Sequence, residues 1–178
     1  PHEMTIPRRL AGRYLKIELL GISGSFDFVF DKLTFKTQTS VTNEAPALAS
    51  TTDPLVRDIY KVGLNTLKEC MQTVYEDGPK RDRRLWIGDL YLEALANAHT
   101  FKNHELTKYC LYLLAAFAND EGLLHATLLE KPQPHPQYGT HTLDYCLIYN
   151  VALLEYLKET GDMETANDLW PVAVRQIE

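Results

Sequence analysis

Five side chains within one short stretch, "EDGPKRDRRLWIGDL" (residues 76–90), have types and spacing suited to chemistry. Asp77, Arg81, Asp82, Trp86 and Asp89 stand at offsets 0, +4, +5, +9 and +12. Carboxylates accept hydrogen bonds from hydroxyls, an indole face packs on the C–H surface of a sugar ring, and an arginine fixes a carboxylate or bonds a hydroxyl. Glycoside hydrolysis needs two carboxyl groups, one to protonate the leaving oxygen and one to activate water or attack directly. One of the two must keep a raised pKa, which burial or a neighbouring carboxylate supplies. The Gly78-Pro79 turn keeps Asp77 off the next helix, and Trp86 and Asp89, three apart, are expected to share a helix face. Gly88 beside Trp86 leaves room for a close approach. On composition alone a plainer reading competes. Acids favour helix N-termini, and Lys80, Arg81, Arg83 and Arg84 make salt bridges over such a turn.

A second constellation lies in "PHPQYGTHTLDY", which joins His135, Tyr138, His141, Asp144 and Tyr145 in a loop leading into a helix, where sites often lie. His135 and His141 are six apart with an aspartate nearby, but no third and fourth ligands are evident, so no metal or other cofactor is expected. Thr142 or Asp144 is also placed to cap the helix. "GISGS" lies between strand-like segments and precedes no helix, so it fails as a phosphate loop. Glu155 and Glu159 with Lys158 read as a solvated helix face, Trp170-Pro171 as a kink or packing contact, and His99 and His104 as surface or capping residues.

Composition excludes some partners. The 178 residues are 45% hydrophobic, enough for one domain core. With 18 Lys+Arg against 24 Asp+Glu the net charge is −6, a sign that does not favour phosphate backbones, so nucleic acid is not expected as a partner. No apolar run approaches the ~18 residues that span a bilayer, so no membrane association is expected. The beginning "PHEMTIPRR" shows no signal-peptide core. Cys70, Cys110 and Cys146 sit in apolar helical patterns and read as buried free thiols, which favours a reducing compartment.

These residues must be positioned by two unlike halves. "RYLKIELLG" alternates Leu15, Ile17 and Leu19 with Tyr14, Lys16 and Glu18, and "SFDFVFDKLTFKT" places Phe26, Phe28 and Phe30 on one face, so residues 12–37 read as strands with a bulge or turn near Asp31-Lys32. Two or three strands need further partners. Small polar residues at 38–53 read as a linker. Helical spacing then begins. The spacing predicts a first helix from Pro54, capped by Asp53, to near Tyr75. A second covers about 84–101 and a third about 104–118. A long connection leads to a fourth helix at about 143–159, stopped by Gly161. A fifth, capped by Asp162, is expected to run off the end. Strands without a sheet and helices without closure point to part of a larger chain, against whose remainder this part packs; the alternative is a small, complete α+β domain.

The stretch 76–90 resembles the signature of the α-L-rhamnosidases of glycoside hydrolase family 78: an Asp, then Cys-Pro or Gly-Pro, then Arg with an acid, then Trp and Asp. "DGPKRDRRLWIGD" is similar to it. "RRLAGRYLKIELLG" looks like the end of the β-sandwich that precedes the catalytic domain, and "YLKETGDMETANDLWP" is similar to helix connections of six-hairpin glycosidases. The resemblance implies a mostly α fold. Residues 1–42 would be the end of a β-sandwich domain and the start of the linker, and residues 43–178 the first helix hairpins of an (α/α)6 catalytic barrel. It implies a carbohydrate substrate and inverting hydrolysis of terminal α-L-rhamnosides. Asp77 would hold sugar hydroxyls, supported by Arg81. Trp86 would form a hydrophobic wall, Asp89 would accept another hydroxyl, and Asp144 and Tyr145 would line the pocket. The family's general acid is a Glu directly after the Arg or one position later, where this chain holds Asp82 and Arg83: either Asp82 is that acid, with one methylene less reach, or the acid is displaced or lost. No Glu in the chain can be assigned as the general base, so the chain alone is expected to be catalytically incomplete.

Two other functions compete. One is a non-catalytic carbohydrate-binding relative, marked by Asp82 and Arg83 at the acid's positions. The other is a helical-hairpin protein-interaction module, against which stands the lack of a fixed repeat period.

Overall fold

The computed structural model describes residues 3–25 and 27–178, so Phe26 of the expected aromatic strand face lies outside the described residues. The chain divides into two compact units, 1–37 and 38–178. In the first, the expected strands do not form among the described residues. The period-two pattern survives: Leu15, Ile17 and Leu19 are about half exposed, against 94% for Tyr14. Lys16 and Glu18 pair at 3.1 Å, and Phe28 meets Phe30 edge to face with centroids 4.8 Å apart. A strand needs a neighbour's N–H and C=O groups, and a short pattern without such a neighbour stays extended but unpaired.

The second unit is mostly helical. Its start, expected as linker, is tied down. Ser40 N–H donates to the Met71 carbonyl at 2.9 Å, Thr39 Oγ1 donates to Lys68 O at 2.8 Å, and Asn43 Nδ2 donates to Phe101 O at 2.9 Å. Helix α1 spans Pro54–Cys70, and Asp53 Oδ1 accepts from Leu55 N at 2.8 Å, the cap its sequence called for. It ends five residues before Tyr75. Met71, Val74 and Tyr75 are fully buried, and the chain turns back on itself in a bridge between Met71 and Tyr75. Burial of these side chains outweighs another helical turn.

Residues 84–86 are not helical. Strand β1 is Leu85–Trp86, and α2 follows as Ile87–His99. Trp86 therefore belongs to a strand and does not share a helix face with Asp89. Helix α3 is His104–Ala116. The long connection after it holds two more strands, β2 (Thr127–Leu129) and β3 (His135–Pro136), giving a three-stranded antiparallel sheet in the order β1-β2-β3. Leu85 lies opposite Leu128, and Trp86 opposite Thr127. Helix α4 is Leu143–Thr160, stopped by Gly161 at φ 70°, and α5 is Met163–Arg175 with Asp162 as its cap. Helix α5 does not run off the end: Gln176 turns out of it, its Oε1 accepting from Leu124 N and its Nε2 donating to Gly122 O. The helix continues through Pro171, and Trp170 is 64% exposed, so it is not a tight packing contact.

The core lies where α2 packs on α4, closed by α3 and α5. Leu85, Ile87, Leu90, Leu111, Leu114 and Tyr149 are fully or almost fully buried there. All three cysteines are buried and free. This core and the sheet hold the stretch 77–89 on three supports: the end of α1, strand β1 and the first turn of α2.

Candidate active site

Asp77 anchors the loop that precedes β1. Its backbone N–H donates to Arg84 O at 3.1 Å, and its Oδ1 accepts from Arg84 N at 3.0 Å. Residues 78–83 are thereby closed into a loop, with Gly78 at φ 147° and Arg83 at φ 56°. Only glycine takes the first of these conformations easily. Arg81 N donates to Gly78 O, and Arg83 Nε donates to Pro79 O at 2.6 Å, so the loop is held by its own backbone. Arg84 reaches across to the segment after β3, its Nη1 donating to Gln137 Oε1.

The Asp77 carboxylate is 3% exposed, and its Oδ2 stands 4.0 Å from Arg81 Nε, whose side chain is 77% exposed. Asp89, in the first turn of α2, is coupled to the same pair. Burial first, then the charge of Asp77, raises its carboxyl, while a backbone hydrogen bond and Arg81 pull it down. Asp77, Arg81 and Asp89 therefore form one electrostatic group. Trp86 meets Tyr145 edge to face, with centroids 6.3 Å apart at 88°. Gly88 makes that contact possible: a Cβ there would stand 2.9 Å from Tyr145 Cζ and Oη. The close approach foreseen at Gly88 is that of Tyr145. Burial, then Asp89 and Asp144, raises the Tyr145 phenol, which places Tyr145 between the two aspartates electrostatically.

Six of the seven candidate residues thus meet in one region. Asp82, next to Arg81, is exposed on the loop between Asp77 and Arg84. Asp144 is also exposed, in the first turn of α4, and Thr142 forms no side-chain cap. His135 and His141 do not converge. His135 Nδ1 bonds Gln133 O, whereas His141 Nδ1 bonds Leu124 O at 2.9 Å and its ring lies 4.3 Å from that of His125. Among the described residues no group of three or more His, Cys, Asp or Glu is arranged to hold a metal. Glu155 pairs with Lys158 at 2.7 Å, as a solvated face would.

Sequence reasoning missed two carboxylates beside the site. Glu76 is 5% exposed. Glu93 lies one turn beyond Asp89 on α2, its Oε2 buried without a hydrogen-bond partner among the described residues. Burial, then Asp89, Glu76 and Asp77, pushes the Glu93 carboxyl up to about 9. The same acids act on Cys70, whose thiol is raised, chiefly by burial, to about 12. The available signal was a stripe of polar residues four apart, Asp89, Glu93 and Asn97, along an otherwise apolar helix.

The unit thus sets clustered carboxylates beside an indole on a scaffold of packed helices, an arrangement of the carbohydrate-binding kind. Residues 45–177 match the family described as the bacterial alpha-L-rhamnosidase 6 hairpin glycosidase domain, and the chain belongs to that family. Residues 1–37 match the glycosyl hydrolase family 78 alpha-rhamnosidase N-terminal domain. Among solved structures, the chain resembles a rhamnosidase from Klebsiella oxytoca with rhamnose bound, at 46% identity and TM-score 0.74, over 78% of this chain and 27% of that one. It shares its fold with the family 78 rhamnosidase of Bacillus sp. GL1, at 24% identity and TM-score 0.67, over 76% of this chain and 13% of that one. The chain thus spans about a quarter of the Klebsiella protein and less of the Bacillus one. No curated protein matches it.

Proposed function

We propose that the protein carrying this chain is a glycosidase that hydrolyses terminal α-L-rhamnosides with inversion. The observation that carries the reading is the coupled group Asp77–Arg81–Asp89 beside the Trp86–Tyr145 aromatic corner, in a chain 46% identical to a rhamnosidase with rhamnose bound. Buried, backbone-anchored Asp77 accepts sugar hydroxyls in a fixed direction, and Asp89 accepts another. Arg81 lies beside both as a positive counter-charge. Trp86 offers its face to the apolar side of the ring, with Tyr145 and Asp144 bounding the same pocket.

Asp82 acts as the general acid. It gives its proton to the glycosidic oxygen as the C–O bond breaks, and a water attacks the anomeric carbon from the opposite face while a second carboxylate takes the water's proton. The product sugar has the opposite anomeric configuration. Inverting enzymes place the two carboxyl groups ~6.5–9.5 Å apart. No glutamate of this chain is assigned as that base, and we place it elsewhere in the protein. In support of this reading, the loop carrying Asp82 is closed at its ends by the Asp77 N–H to Arg84 O bond and by the Arg84 N–H to Asp77 Oδ1 bond.

The test is Asp82→Asn in the full-length protein, assayed on an aryl α-L-rhamnoside and on an alkyl one. A general acid contributes about 10²–10⁴-fold. The alkyl substrate, with the poorer leaving group, should lose rate over that whole range, and the aryl substrate less. Equal turnover of mutant and wild type on both would remove Asp82 from the acid's role. The exposure of Asp82 favours one second reading, a relative that binds rhamnosides without cleaving them. Saturable rhamnose binding with no turnover on any glycoside of a panel would select it.

A further inference from the structure

Glu93 is used by neither the sugar contacts nor the acid–base step proposed above, yet its surroundings are the most unusual in the domain. It sits on the helix that carries Asp89, one turn on, so that the two side chains share a face. The titratable groups set against it come from α1, the segment before β1, its own helix and α3. They are Cys70 on α1, Tyr75, Glu76 and Asp77 on the segment before β1, Asp89 on its own helix, and Cys110 on α3. All are acids, thiols or phenols. Among the described residues no cation offsets them at Glu93, since Arg81 acts on Asp77 and Asp89. Its Oε2 is buried without a hydrogen-bond partner there. An ionised carboxylate so placed would be a charge taken out of water with only like charges around it, a costly arrangement that protonation removes.

We propose that Glu93 is a positioning residue of the sugar pocket, a neutral acid that adds no charge beside the carboxylates of Asp77 and Asp89 that accept sugar hydroxyls. The inference rests on the sugar assignment of that pocket. A neutral Glu93 offers an O–H donor toward the acidic group and adds no repulsion. Once ionised, it places one more negative charge beside Asp89. That charge either draws a proton onto Asp89 or forces the carboxylates apart, and either change weakens hydroxyl binding before it touches the acid–base step.

Two measurements on the full-length protein test this. The first is the pH profile of an aryl α-L-rhamnoside reaction for wild type and for Glu93→Gln, which keeps shape, neutrality and a donor. In wild type KM should rise on the alkaline side from about pH 9, by about tenfold per unit, with kcat less affected. Glu93→Gln should retain neutral-pH kcat/KM to within about threefold and lack this alkaline rise. An unchanged alkaline rise in the variant, or a folded variant severely impaired at pH 7, would overturn the proposal. The second measurement needs neither activity nor the variant. Infrared difference spectra of wild type titrated from pH 7 to 10 should show a protonated carboxyl band that disappears around pH 9. Its absence at pH 7 would overturn the proposal even if Glu93→Gln fails to fold. A band that titrates as expected in a protein with no rhamnoside turnover would overturn the function proposed above and leave the neutral Glu93 standing.

Discussion

Gly88 shows how much of the site hangs on one missing methyl group. The Tyr145 ring occupies the volume a Cβ would take, at 2.9 Å, and leans edge-on against Trp86. Gly88→Ala must push Tyr145 away, because real Cβ contacts are not that short. The phenol end is only half-buried and can move, so the domain should fold, but the aromatic corner should open. We expect KM for rhamnosides to rise about tenfold or more, since small misplacements at a binding wall are costly. Near-UV circular dichroism of the tryptophan should change with it. Unaltered KM would show that Tyr145 does not bound the pocket. At this scale the sequence was most legible where chemistry depends on spacing: Asp77, Arg81 and Asp89 couple as one group. It was least legible at Glu76 and Glu93, whose type suggests solvent and whose place is against the core.

Element boundaries follow tertiary contacts more than propensity. The caps at Asp53 and Asp162 and the stop at Gly161 are local devices, and each is found where its residue type calls for it. Asp162 also accepts from Lys108, Tyr156 and Thr165, hydrogen bonds that hold its carboxyl below the ordinary range. The turn from α2 to α3 depends on a residue with no such signature. Asn97 is fully buried, its Oδ1 accepting from Asn103 N and its Nδ2 donating to Asn103 O, each at 3.0 Å. Asn97→Ala leaves both backbone groups of Asn103 without these partners inside the turn. It should cost about 1–3 kcal/mol, read as a lower midpoint in urea with an unchanged slope. A midpoint shift within error would mean that the turn is held by other contacts. The sheet escaped the sequence reading because β1 and β3 are two residues long. Alternation cannot be seen over two residues, so Trp86 was read into the helix that follows it.

For the whole molecule, the acidic balance and the exposed apolar stripes carry the consequences. Leu55, Ile59 and Val62 on α1 and Leu143, Leu147, Val151 and Leu154 on α4 recur at helical spacing and remain exposed. Such stripes have the spacing and apolar character of helix faces that pack against another apolar surface. Global stability should also report the buried acid. Glu93 has an ordinary glutamate value of 4.5 when unfolded and about 9 when folded, so the folded state holds a proton that the unfolded state releases between these values. The contribution of Glu93 to stability is therefore fully present below about 4.5 and is lost as pH rises through about 9. In Glu93→Gln this contribution vanishes, and the unfolding midpoint should fall less steeply between pH 6 and 10 than in wild type, by thermal or urea titration. Parallel profiles would place the Glu93 carboxyl near its ordinary value.

What could be read from residues alone was whatever depends on short separations along the chain. Helical periodicity, caps, the Gly161 stop and the spacing of Asp77, Arg81, Trp86 and Asp89 are set within a few turns of backbone, where local sterics and hydrogen bonding act. The pairing of β1 with β2, the turn of 71–75 into the core, the docking of 39–43 on Lys68, Met71 and Phe101 and the burial of Glu93 were decided only in three dimensions. Each depends on partners tens of residues away, and the free energy of burying side chains against them is larger than the local preferences it overrides.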